Sequence, residues 1–274
     1  AAGIFGNPLS GWIMQSFDGI RGWSGWQWMF LIEAVPAVVL GLVLIAYLDN
    51  GVKSAKWLDE DEKDILARNI AADSSGKDEH QSVFVVLRDP RVWVMCLIYF
   101  SFVMGQYGLT FWMPTLVKAS GVSGDFNIGL LSAIPFICAI IAMVLFSRSA
   151  DARRERRWHL VIPALLGAVG FVVAATASST AIAIVFLSMA AAGVLACAPL
   201  FWSLPTAFLS GAAAASGIAF INSVANLAGF ASPYLIGTLR DMTQSSAMGM
   251  YVLAGFLVLG AAIVLMVPAK LVNR

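Results

Sequence analysis

Eight long apolar runs fill the chain, at roughly 1–17, 28–48, 92–117, 127–147, 159–178, 181–203, 214–238 and 247–268. A helix needs about 20 mostly apolar residues to cross a bilayer, so each run predicts one spanning helix. The breaks between runs carry Gly, Pro, Ser, Asp or Arg, as turns and loops do. The fifth and sixth runs are parted only by ASST (177–180), a tight turn between antiparallel helices. One polar stretch is long, about 49–91. Within it, AKWLDEDEKDILARNIAAD (55–73) predicts a helix lying on a membrane or protein surface. Asp59, Glu60, Asp61 and Glu62 crowd its start, where a helix dipole favours anions. Trp57, Leu58, Ile65, Leu66 and Ile70 give it an apolar stripe, and DSSGKDEHQS (73–82) predicts a flexible connector.

Composition agrees with lipid as the solvent. The 274 residues are 59% hydrophobic and 12% charged, against about 25% charged in a soluble domain. The net charge of +1 says little, but the placement of charge says more. With the 49–91 loop in the cytoplasm, 14 of the 17 Lys and Arg residues fall on that side, and only Arg21, Lys118 and Arg240 on the other. The excess of Lys and Arg in cytoplasmic loops therefore predicts a cytoplasmic C-terminus in the inner membrane. Trp23, Trp26, Trp28, Trp93, Trp112 and Trp158 stand at span ends, as in an interfacial belt. Cys96, Cys138 and Cys197 sit in apolar runs without metal-ligand spacing and read as packing residues. No metal or cofactor is expected, and no basic patch interleaved with aromatics suggests nucleic acid. The opening AAGIFGNPLSGW, without Met and already apolar, predicts a chain cut inside a helix.

Several stretches resemble one family. GWQWMFLIEAVPAVVLG (25–41), followed by a loop containing KWLDEDEK, resembles the sixth helix and central loop of the anion:cation symporter family, a branch of the major facilitator superfamily. YGLTFWMPTLVK (107–118) resembles its seventh helix, GIAFINSVANLAGFASPYLIGTLRD (217–241) its eleventh, and RERRWH (154–159) its loop between helices eight and nine. The resemblance implies an all-α integral membrane protein with the major facilitator fold. This chain would supply helices five to twelve of twelve. Residues 1–48 would end the N-terminal six-helix half, 49–91 would be the central cytoplasmic loop, and 92–274 the C-terminal half. In the eight–nine loop the family pattern is a small residue, three residues, then Asp-Arg-x-Gly-x-Arg-Arg. Ser147 and Asp151 fit it, while Ala152 replaces the Arg and Arg154 the Gly. Asp151, Arg153, Arg156 and Arg157 read as a topology anchor and, through the resemblance, as a gating loop.

The resemblance implies transport of a small organic anion with protons by a monomer in membrane lipid. The anion would be a hydroxy or sugar acid or an aromatic carboxylate. Asn222 and Asn226 lie one helical turn apart near mid-span. Their amides suit the carboxylate and hydroxyl groups of such an anion, though they could equally tie helices together. Gln106 and Tyr107 are further donors, with Gly105, Gly108 and Pro114 predicting a bend beside a cavity. Trp202 and Ser203, before Pro205, are weaker candidates for the same site. Glu33 is the one carboxylate well inside a predicted span, either structurally paired or coupling protons. A membrane-embedded enzyme would need clustered His, Asp or Glu at that depth, so no enzyme is expected. A sensor or exporter on the same fold is the alternative reading.

Overall fold

The computed structural model describes residues 2–49, 51–75, 88–207 and 211–269. Their helices are α1 (Ala2–Ser16), α2 (Gly25–Tyr47), α3 (Glu60–Ser75), α4 (Pro90–Ala119), α5 (Asp125–Arg153), α6 (Arg157–Ala175), α7 (Thr180–Phe201), α8 (Gly211–Asn226), α9 (Ala228–Thr243) and α10 (Ala247–Met266). Among the described residues, seven segments are long and apolar enough to cross a membrane, with α8 and α9 together forming one. The first predicted run, α1, is only 15 residues long.

The chain divides into two compact units, residues 13–81 and residues 1–12 with 82–274. In the first unit Ser24 opens α2 with a reciprocal capping box, its N–H donating to Gln27 Oε1 at 2.9 Å. The apolar side chains of α2, such as Leu40, Leu42 and Ile45, are exposed, as those of a helix facing lipid or other helices would be. The surface helix begins later than its sequence suggests. Asp59 and Glu62 exchange N–H to carboxylate bonds of 2.8 and 3.2 Å, a capping box that starts α3 at Glu60. Trp57 and Leu58 therefore precede the helix, so the predicted stripe keeps Ile65 and Leu66, both exposed. Most of the predicted connector lies outside the described residues.

In the second unit α4 is the central element, packing against α7, α8, α9 and α10. Asp89 caps it by accepting from Arg91 N at 2.8 Å, with Pro90 in the first turn, where its missing N–H costs nothing. Gly105 and Gly108 serve close packing. A Cβ on Gly105 would lie 3.2 Å from Leu257 of α10, and one on Gly108 would lie 2.9 Å from Ser232 Oγ of α9. The helix continues through Pro114 to Ala119. Consecutive α6 and α7 pack backbone on backbone through Pro163, Gly167 and Gly170 against Ala190 and Gly193. Small residues take this role in membrane helices because they let backbones approach and gain dispersion contact. Cys96 and Cys197 are buried thiols, and Cys197 donates to Gly193 O at 3.2 Å.

The turn between α5 and α6 shows why the family pattern has Gly where this chain has Arg154. Arg154 ends α5 in the left-handed conformation, φ 48° and ψ 37°, where glycine has no Cβ penalty. We expect Arg154→Gly to stabilise the protein by about 1 kcal/mol, the worth of relieving one left-handed L-residue. Thermal unfolding in detergent checks this, and an unchanged or lower midpoint would refute it.

Candidate functional site

The predicted eleventh helix is not continuous. The interruption is one residue, Leu227, directly after Asn226, where the backbone keeps right-handed helical angles, φ −58° and ψ −25°. The Asn226 amide donates to Asn222 O at 2.8 Å, the carbonyl that would normally accept the Asn226 backbone N–H. That carbonyl also closes the last turn of α8, so it is shared by two donors, and back-bonding of this kind bends helices. The next turn tightens, with Leu227 N donating to Val224 O and Phe230 N to Leu227 O, both three residues back. The segment then resumes as α9.

Around this break three polar side chains form a chain of hydrogen bonds across two helices. Tyr107 of α4 donates its hydroxyl to Asn226 Oδ1 at 2.8 Å. The Asn226 amide also reaches Asn222 Oδ1 at 3.0 Å. Gly229 makes room for the tyrosine, since a Cβ there would sit 3.1 Å from its ring. One turn further, Ser232 donates to Met104 O at 2.7 Å and holds α9 against α4. Both amide hydrogens of Asn226 and its carbonyl are thus engaged. The Asn222 amide N–H groups have no bond among the described residues.

Both asparagines lie on the exposed surface of their unit. Beside them stand aromatic rings that the sequence reading did not single out. Phe111 stacks on Tyr107 with centroids 5.8 Å apart, and Phe230 stacks on Tyr234 at 5.5 Å. Phe111 follows Tyr107, and Phe230 follows Asn226, by four residues, so each lies one turn further along the same face. That spacing was the available signal.

Within the same unit, Gln106, Trp202 and Ser203 do not join this cluster. Gln106 is half-buried on α4 and makes no hydrogen bond to either asparagine. Ser203 donates to Leu200 O at 2.7 Å, satisfying its own helix end. Trp202 packs edge-on against Tyr99 at 4.8 Å, in a cluster with Phe201. Glu33 lies exposed on α2 in the other unit. Among the described residues, no group of three His, Cys, Asp or Glu could hold a metal.

The α5–α6 turn carries a second polar cluster. Asp151 pairs with Arg156. Glu155 accepts from Trp158 N at 2.9 Å and His159 N at 3.3 Å, capping α6. Its Oε2 lies 2.8 Å from His159 Nδ1, and Ser149 Oγ lies 3.0 Å from His159 Nε2. The order Ser–His–Glu resembles a hydrolytic triad. However, Ser149 sits inside α5, where neighbouring backbone N–H groups belong to the helix ladder rather than to an oxyanion site. The cluster acts as a clasp between the two helix ends. The spacing of Glu155 and His159, four residues apart, was its only trace in the sequence.

Long apolar helices around one packed core, one of them broken beside polar side chains, define a multi-pass membrane protein. Residues 1–233 match the Major Facilitator Superfamily, and the chain belongs to it. It is 43% identical over 99% of its length to a putative metabolite transport protein, NicT, of Pseudomonas putida, covering 62% of that protein. It is 44% identical over 96% of its length to a putative tartrate transporter of Agrobacterium vitis, covering 60% of it. The chain thus spans about three fifths of these relatives. The crystal structure of a D-xylose–proton symporter matches 97% of the chain at 18% identity with a TM-score of 0.69, covering 62% of that structure. These relatives agree with the resemblance read from the sequence.

Proposed function

We propose that this chain is the larger part of a secondary transporter. It carries a small organic anion, a hydroxy or sugar acid or an aromatic carboxylate, across the inner membrane together with protons. The observation that supports this best is the Tyr107–Asn226–Asn222 chain at the break between α8 and α9. Transporters of this kind bind substrate near the bilayer midplane at discontinuous helices and expose the site alternately by rocking two halves. In this reading residues 92–274 form one half, residues 1–48 belong to the other, and 49–91 link them in the cytoplasm, where the C-terminus also lies. The names of the relatives from Pseudomonas putida and Agrobacterium vitis point the same way.

The chemistry follows from the donors in place. Asn222 offers both amide N–H groups to a carboxylate. Tyr107 spends its proton on Asn226 and keeps its lone pairs for a substrate hydroxyl. Asn226 positions both partners. Phe111, Phe230 and Tyr234 give the site apolar walls. Glu33 is the candidate for proton coupling within this chain, because an acid on a spanning helix is costly without a role. Asp151, Arg153, Arg156 and Arg157 fix the orientation of the α5–α6 turn and its gating.

Uptake by the full-length transporter in proteoliposomes tests this reading. An imposed proton gradient, inside alkaline, is expected to drive accumulation of a labelled hydroxy, sugar or aromatic acid. A collapse of the gradient should abolish it. Accumulation insensitive to the gradient would refute proton coupling. Failure with every acid, alongside efflux of preloaded compounds, would favour the exporter.

A further inference from the structure

Helices α5 and α6 follow one another in the chain, yet they scarcely touch beyond their turn, because both pack on α7. They splay apart from the Ser149–His159–Glu155 clasp and leave an open cavity of about 610 Å³ between them. Leu145, Phe146, Ile162, Arg153 and Trp158 line it, and the three clasp residues, Glu155 among them, complete its lining. Both helices are candidate spans, so the cavity sits at the end of the apolar segment, at interfacial depth. Its apolar walls continue outward, since Leu145 is 62% exposed and Ile162 is 47% exposed. The rim is 53% exposed at Trp158, the ring type that settles at headgroup level. Between residues 148 and 157 five arginines face two acids, Asp151 and Glu155. Asp151 is paired with Arg156, and Glu155 is turned into the first turn of α6 and onto His159.

We propose that this cavity is a binding site for an anionic phospholipid of the cytoplasmic leaflet. The phosphate is held by Arg153 at the rim beside Trp158, and an acyl chain lies between Leu145, Phe146 and Ile162. The charge complementarity is local: a net cationic segment at the mouth of an apolar wedge. Basic pockets between helices on the cytoplasmic side take anionic headgroups for this reason, and the Lys and Arg bias of the chain places this turn on that side. A bound lipid would fill the wedge and hold α5 and α6 at a fixed separation. The site is independent of the asparagine cluster and of the substrate.

Lipid binding to the purified full-length protein, read by native mass spectrometry, tests the site. Phosphatidylglycerol, phosphatidylcholine of the same chains, and sn-glycerol 3-phosphate serve as probes. Phosphatidylglycerol is expected to bind more tightly than phosphatidylcholine, and Arg153→Gln should weaken it about fivefold, the worth of one cation at an anionic surface. Ile162→Trp should narrow the wedge and weaken retention of both lipids, with Arg153 intact. Arg153 is exposed, so its replacement should leave the fold unchanged. Equal binding of the two lipids, or a phosphatidylglycerol preference surviving Arg153→Gln, would overturn the proposal. So would glycerol phosphate binding as tightly as the lipid, which would make the cavity a soluble-anion site.

Discussion

Gly193→Ala is expected to lower the thermal midpoint of the purified protein by about 6 °C or more, corresponding to a loss of roughly 3 kcal/mol. The added methyl would land on Pro163 O and Gly167 N, and 2.7 Å from Gly167 Cα. All three are backbone atoms of α6. No rotamer change can relieve them, so α6 and α7 must separate. Separation forfeits dispersion contacts along the whole seam, including the approach of Gly170 to Ala190 and Phe186. In a bilayer this matters more than in water, because lipid tails supply no hydrophobic force to press the helices back together. Gly255→Ala is the matched control. It lies in α10 with nothing within 4 Å of a built Cβ, and helix propensity should make it neutral or stabilising by up to about 1 kcal/mol. Equal midpoints for the two variants would refute the close seam between α6 and α7.

Asn222→Ala is expected to weaken substrate binding by the full-length transporter by about 10–100-fold, as loss of a hydrogen bond to a charged group costs roughly 1.5–3 kcal/mol. The midpoint for unfolding should stay within a few degrees, because Asn222 is exposed and binds only Asn226. Tyr107→Phe removes the bond to Asn226 Oδ1 and the acceptor offered to a substrate hydroxyl. It should therefore penalise hydroxy acids more than acids without a hydroxyl. Asn226→Ala breaks both links at once, so its effect and that of Tyr107→Phe should be less than additive in a double-mutant cycle. If the asparagines only tie helices, the pattern inverts. Uptake would be unchanged and stability would fall by about 0.6 kcal/mol, the average for such bonds in membranes. The two readings are separated by one pair of measurements.

The spans were legible because a helix in lipid must be apolar along its whole length. The runs 92–117 and 247–268 correspond to α4 (Pro90–Ala119) and α10 (Ala247–Met266), with boundaries off by two residues at most. Membership of the family was equally legible in stretches such as GWQWMFLIEAVPAVVLG, and the match over residues 1–233 agrees with it. The Asn222 and Asn226 pair stood out for the same reason, as amides in an apolar segment. The break at Leu227 did not, since neither Gly nor Pro occupies that position. It lies where the Asn226 side chain bonds back to Asn222 and across to Tyr107 of another helix, contacts that only the packed structure brings together.

The sequence by itself determined the medium, seven of its eight expected spans and their order, and the residue types costly enough in lipid to require partners. Only the tertiary structure decided which partners they have. It joined Tyr107 to Asn226 across 119 positions, spent the Ser203 hydroxyl on Leu200, and set Gly105 and Gly108 against α9 and α10. It also opened the wedge between α5 and α6. Hydropathy depends on each residue alone and can be read one position at a time. Hydrogen bonds and close approaches depend on pairs, and the pairs are set by how the helices pack.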